Sequence, residues 1–170
     1  QGWIAFLTGF CGYGYGAVDM WLYQSTYDFD TTSDDGKEKI TPEDKAVYWC
    51  DALELESARQ MAYLKDFLTS FEWWTLTPVF ADDKEFAPED NAAFTYAHTP
   101  KGKHVLYFFG ESAATGTMAE LPANKAVALT WMNPRTGEFA GPVPASTTAD
   151  GTLALPHKPD TNDWVMIVQE

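Results

Sequence analysis

Hydrophobic and polar positions change their period near the middle of the chain. Before Pro78, apolar residues recur every three to four positions; after it, they come in short runs cut by turn residues. Trp3, Phe6, Leu7 and Phe10 share one helical face, which predicts the end of a helix, broken at Gly12. Residues 13–19 then read as a short buried strand and 20–23 as its exit. Thr41-Pro42-Glu43-Asp44 is a helix start. Thr41 can cap, Pro42 suits the first helical position, and the two acids favour the positive helix end. A short helix to about residue 50 follows. A second runs from about 57 to 71, where Ala58, Met61, Leu64, Leu68 and Phe71 recur on one face and leave Arg59, Lys65 and Asp66 to solvent. Trp73 and Trp74 stand at its exit, and Pro78 stops any continuation.

Beyond Pro78 the pattern is β. Strands are expected at 93–98, 104–109, 126–133, 138–142, 152–155 and 164–168, with turn residues such as Lys101-Gly102 and Pro134-Arg135-Thr136-Gly137 between them. Short strands at this spacing read as an antiparallel sandwich. The expected fold class is α+β: residues 1–80 as one segment, 81–90 as a charged linker containing Pro88, and 91–170 as a β-sandwich.

Composition narrows the classes. With 45% hydrophobic and 15% aromatic residues among 170, the chain has the material of a core, and disorder is excluded. No apolar run approaches the ~20 residues of a membrane span. A net charge of −14 repels phosphate backbones, and the 11 basic residues form no cluster, so no nucleic-acid partner is expected. The sequence opens on Gln1 with no signal peptide, so a partial or processed chain is expected. Cys11 and Cys50 are too few for a disulfide framework or a four-ligand zinc site. One bridge between them is open; two buried free thiols are the favoured reading.

Candidate chemistry centres on residues 9–23. Gly9, Gly12, Gly14 and Gly16 alternate there with Phe10, Tyr13, Tyr15, Trp21 and Tyr23. Glycine is costly in an ordinary helix and survives where backbone packs closely or bends. Two readings fit: a buried glycine-rich strand with core aromatics, or a flat wall for an uncharged polar ligand such as a sugar. Asp19 is the carboxylate in this apolar setting, as a substrate contact or as a partnered buried acid. Glycoside hydrolysis needs two carboxyl groups ~5–9.5 Å apart, and no second acid can be paired with Asp19. Asp28, Asp30, Asp34 and Asp35 suggest calcium, but Lys39 occupies the twelfth loop position, where a bidentate Glu is required. A solvated acidic loop is the better reading. His98, His104 and His157 share no ligand spacing and are expected at the surface or at strand edges. A phosphate loop and a nucleophile elbow are both missing, so no cofactor and no metal are expected.

The order of these motifs resembles a known family. Gly9-x-x-Gly12-x-x-Tyr15-Gly16 followed by Trp21 is similar to the eighth strand of the apiosidase-like (β/α)8-barrel glycoside hydrolases. Trp49-x-x-Ala52-Leu53, Ala58-x-Gln60-Met61-x-x-Leu64-Lys65, Leu68 and Trp73-Trp74-x-Leu76-x-Pro78 resemble that family's last barrel helix and its exit. Trp131-x-Asn133-Pro134-Arg135-Thr136-Gly137 and Asp163-Trp164-Val165-Met166 resemble the C-terminal β domain after the barrel, commonly labelled collagen-binding. The resemblance covers residues 2–170. It implies the tail of a bacterial glycoside hydrolase, secreted or periplasmic, with a carbohydrate substrate. The catalytic acids would lie on earlier strands, so no catalytic residue carries over. Tyr15, Gly16 and Trp21 would form the eighth-strand wall of the sugar site, with Tyr13 and Asp19 beside it. A Trp there stacks on a sugar ring. Where the family commonly has His-Thr before Tyr-Gly, this chain has Tyr13 and Gly14, which leaves the sugar unassigned. The acidic stretch 24–40 resembles an insertion over the barrel mouth.

A helix, a strand and a helix pair cannot close a barrel. The remainder of the barrel is therefore expected as a partner, either upstream or on a companion chain. The alternative is a non-catalytic β-sandwich module binding carbohydrate or protein through Tyr96, Tyr107, Phe108 and Trp131. A third reading is a purely structural domain packed on the barrel.

Overall fold

A computed structural model describes residues 1–16, 49–80, 83–90 and 92–170. Three helices come first. α1 (Gly2–Leu7) ends where the Thr8 hydroxyl donates to the Ile4 carbonyl at 2.8 Å, and it buries Trp3 and Leu7. α2 (Trp49–Ala52) is a single turn. α3 (Glu56–Thr69) starts with Glu56 at its positive end and buries Leu64, Phe67 and Leu68 along one stripe. It stops where the Thr69 and Ser70 hydroxyls donate to the carbonyls of Lys65 and Phe67, offering the backbone an alternative to another helical turn. A 3-10 turn, Trp73–Thr75, leads out of it.

Nine strands follow: β1 (Thr77–Val79), β2 (Phe86–Pro88), β3 (Ala93–His98), β4 (Lys103–Phe109), β5 (Gly116–Met118), β6 (Ala126–Met132), β7 (Phe139–Ser146), β8 (Leu153–Ala154) and β9 (Trp164–Gln169). They form two antiparallel sheets, a six-stranded one in the order β1-β3-β4-β9-β6-β7 and a three-stranded one in the order β2-β5-β8. The α+β class is as expected. Six strands fall where the hydrophobic pattern places them, within a few residues at each end. β1, β2 and β5 were not foreseen, because each is three residues long and carries a Pro or Gly. Phe86–Pro88, inside the expected linker, pairs with Gly116–Met118. β7 runs four residues past the expected end at Pro142, through Pro144.

Strand alternation sorts the large sheet into two faces. In β4, Leu106 and Phe108 point to one face and Val105 and Tyr107 to the other. Register carries the split across: Leu106 opposes Tyr96 and Met166, while Val105 opposes Ala97 and Ile167. The first face meets the small sheet in a core of Phe86, Tyr96, Leu106, Phe108, Met118, Leu121, Leu153 and Met166. The second receives α1, whose Trp3 ring stacks on Tyr107 at 6.0 Å and tilts against Phe67 at 5.2 Å.

Sheet edges carry proline. Pro78 is in β1 and Pro142 and Pro144 in β7, the two edges of the large sheet; Pro88 is in β2, and the remaining edge, β8, has only two residues. Contacts divide the chain into two units, residues 1–13 with 62–170, and residues 14–61.

Candidate functional site

The glycine–aromatic stretch begins at the end of α1. Gly9 takes a positive φ of 94° and turns the chain, and a Cβ there would lie 3.0 Å from the Pro78 ring. Beyond it, residues 12–16 form neither helix nor strand, and Gly14, Tyr15 and Gly16 are exposed. This corrects the expected buried strand over its described part. A Cβ on Gly12 or Gly14 would meet nothing within 4 Å among the described residues, so close packing does not explain these two glycines.

Of the expected site residues, Tyr13 is half-buried and its hydroxyl donates to Gln1 Oε1 at 3.2 Å. Tyr15 is 41% exposed, with its hydroxyl 2.7 Å from Ser57 Oγ. Asp19 and Trp21 lie outside the described residues, as do the acidic stretch and the Thr41 helix start. Cys11 and Cys50 are free and exposed, so the expectation of buried thiols does not hold. Phe10, Trp74 and Phe80 are large exposed apolar residues.

The β region holds a polar network around one of the histidines expected at the surface or at strand edges. His104 is buried at 6% exposure. It projects from β4 on the core face because residues 104, 106 and 108 share that face. Its Nδ1 lies 2.7 Å from the Tyr96 hydroxyl and its Nε2 3.4 Å from Glu170 Oε1. A carboxylate only accepts, so Nε2–H donates to Glu170 and Nδ1 accepts from Tyr96. Burial, above all, holds the His104 imidazole below its ordinary pKa; His98 lowers it further, and Glu170 opposes both. Desolvation, reinforced by Glu85 and Glu170, pushes the Tyr96 phenol well above its usual range. His98 faces Glu85 at 3.5 Å, and exposed His157 faces Glu89 at 3.2 Å. Among the described residues, no cluster of His, Cys, Asp or Glu has the arrangement of a metal site.

Two further features were not legible in the sequence. Lys158 is buried and donates to the carbonyls of Gly110 and Asn162 at 3.0 and 2.8 Å. Beside it, Asp160 accepts from Trp164 Nε1 at 2.7 Å, which, with the Asn162 amide, lowers its pKa to about 2. The second is a cleft of about 210 Å³ lined by Phe71, Glu72, Thr75, Thr99, Lys101, Lys103 and Gln169. It opens where the end of the large sheet meets the turn after α3. No local motif announces it, since its residues come from three distant segments.

The aromatics of the binding-module alternative are placed differently from what that reading needs. Tyr96, Tyr107 and Phe108 are all buried, and Trp131 packs against the core at 6.2 Å from Phe108. The Tyr107 hydroxyl donates to Asp163 at 2.5 Å. Among the described residues no helix is long and apolar enough to cross a membrane.

Comparison with known proteins gives two kinds of match. The family described as "Apiosidase-like, catalytic domain" matches residues 1–75. Among solved structures, one described as "Glycoside hydrolase" superposes with a TM-score of 0.57 at 16% identity, covering 85% of this chain and 30% of the other. A glycoside hydrolase family 5 protein from Bacteroides vulgatus ATCC 8482 superposes with a TM-score of 0.55, also at 16% identity, covering 74% of this chain and 28% of the other. At such identity the likeness is one of fold. The chain spans less than a third of either structure. No curated protein is significantly similar to it in sequence. The chain is thus similar over residues 1–75 to the apiosidase-like catalytic-domain family, and in fold to part of two glycoside hydrolases.

Proposed function

We propose that the chain is the C-terminal part of a bacterial glycoside hydrolase, secreted or periplasmic, that acts on polysaccharides or glycan side chains. The match of residues 1–75 to an apiosidase-like catalytic domain carries this reading. In it, residues 1–80 carry the last segment of a (β/α)8 barrel, 81–90 lead from it and add β2 to the small sheet, and 91–170 form the rest of a supporting β-sandwich. Tyr15 and Trp21 form the wall of the sugar site, flanked by Tyr13 and Asp19, and the bond-breaking acids lie on earlier strands. The exposure of Tyr15 supports a stacking role. Exposed Phe10, Trp74 and Phe80 support the remainder of the barrel as the partner of this segment, because apolar rings gain by leaving water. Burial of Tyr96, Tyr107 and Phe108 favours a supporting role for the β domain over an independent binding module.

The test is the protein produced from its whole open reading frame and assayed for sugar release from plant and host glycans. Hydrolysis is expected, and Trp21→Ala or Tyr15→Ala should each lower kcat/KM by roughly tenfold or more, the equivalent of about 1.4 kcal/mol of lost stacking. Full activity in both variants would remove the wall assignment. Absence of hydrolysis on every glycan would remove the enzyme reading.

A further inference from the structure

The cleft at the end of the large sheet holds a cation that has no counter-ion among the described residues. Lys103 leaves β4 on the face opposite the Tyr96–His104 network and lies beside Gln169, its register partner on β9. Its ammonium sits 5.3 Å from the centroid of the Phe71 ring. Among the described residues no carboxylate lies within 4 Å of it; the neighbouring Glu72 is paired instead with Lys101. Burial alone pulls the Lys103 pKa down, as expected of a charge losing water and gaining no anion. Two lysines and one glutamate leave this cleft with one positive charge, in a chain whose net charge is −14.

The rest of the lining is polar at close quarters. Buried Thr99 accepts the Lys103 amide at 3.2 Å on its hydroxyl oxygen, which leaves the hydroxyl proton free to donate. The Gln169 side chain donates to the Gly102 carbonyl at 3.3 Å, and its amide oxygen remains an acceptor. Phe71 supplies an apolar wall. At about 210 Å³ the cleft falls below the ~300 Å³ of typical drug-sized sites and suits one ring.

We propose that this cleft binds a sugar acid, with the carboxylate on Lys103 and ring hydroxyls on Thr99 and Gln169. A carboxylate would supply the counter-charge that Lys103 lacks, and the hydroxyl and amide groups discriminate a sugar from a bare anion. Lys101 stays on Glu72 at the rim and is not part of the contact. The cleft joins the turn after α3 to the large sheet, and its lining shares no residue with the proposed sugar wall.

The probe is D-glucuronate, titrated into the full chain and followed by amide chemical-shift changes. Glucose, the neutral isostere, and acetate, the bare carboxylate, are the comparison arms. Saturable shifts at Thr99, Lys103 and Gln169 are expected with glucuronate, at a Kd of ~1 mM. Glucose and acetate should each bind at least tenfold more weakly, and Lys103→Gln should weaken glucuronate by a similar factor. Thr99→Val is the second variant, with an expected several-fold loss, so the site remains testable if Lys103→Gln does not fold. Equal binding of glucose or of acetate, no saturation by ~10 mM glucuronate, or shifts located elsewhere would each overturn the proposal.

Discussion

His104 is the residue whose surroundings make the clearest pH statement. Its folded pKa is depressed, so the unfolded chain takes up its proton more readily. The stability it contributes is complete above the ordinary imidazole range and is lost as pH falls through it. Protonation would also put an N–H opposite the Tyr96 hydroxyl, whose own proton would then need a new acceptor in a buried site. Urea midpoints should therefore fall between about pH 7 and about pH 5, and His104→Asn should flatten part of that fall. An unchanged slope in the variant would contradict the role given to this network. Gly151 gives a second residue-scale expectation. Its φ is +71°, and a Cβ would lie 2.3 Å from the Leu121 carbonyl oxygen. Gly151→Ala should cost about 2 kcal/mol or more, from left-handed backbone strain plus the displacement of Leu121, read from denaturant unfolding.

Among the elements, α1 is short but holds one of the best-buried aromatic contacts in the molecule. Trp3 lies between Phe67 of α3 and Tyr107 of β4. Trp3→Ala should destabilise the chain by about 3–5 kcal/mol, the usual cost of a large aromatic lost from a core; a change below about 1 kcal/mol in chemical denaturation would mean that α1 is not an integral layer. Elements of this kind were legible in advance where a pattern ran long enough. The apolar stripe from Leu64 to Leu68 gave α3, and the apolar runs around Leu106 and Met166 gave the central strands. Strands such as Gly116–Met118 were not legible, because three residues cannot establish a period and Gly116 argues against a strand. The stretch around Tyr15 was not legible as it stands: Tyr15 is exposed, and residues 13–16 are not the strand that their spacing suggested. Lys103 and Gln169 could not be anticipated as neighbours, since strand register alone brings them together.

At the scale of the whole molecule, the two sheets and their helical cover are built around Tyr107 and Leu106, adjacent residues pointing to opposite layers. That arrangement uses up the aromatics that an independent binding surface would need, which favours the supporting role proposed for the β region. Prolines at the sheet borders have a different consequence. Pro142 and Pro144 are two residues apart, so the amide protons they lack fall on one side of β7, the side away from β6. With Pro78 and Pro88 on other borders, a foreign strand finds few donors to zip onto, although Phe139 and Val143 are exposed there. Such an outline should resist seeding fibrils even when its apolar rings are bare. Replacing Pro142 and Pro144 together by Thr should raise thioflavin-positive material on prolonged mild heating, while the native chain stays dark. The four prolines at the sheet borders thus act against edge-to-edge pairing, whatever else the exposed apolar rings meet.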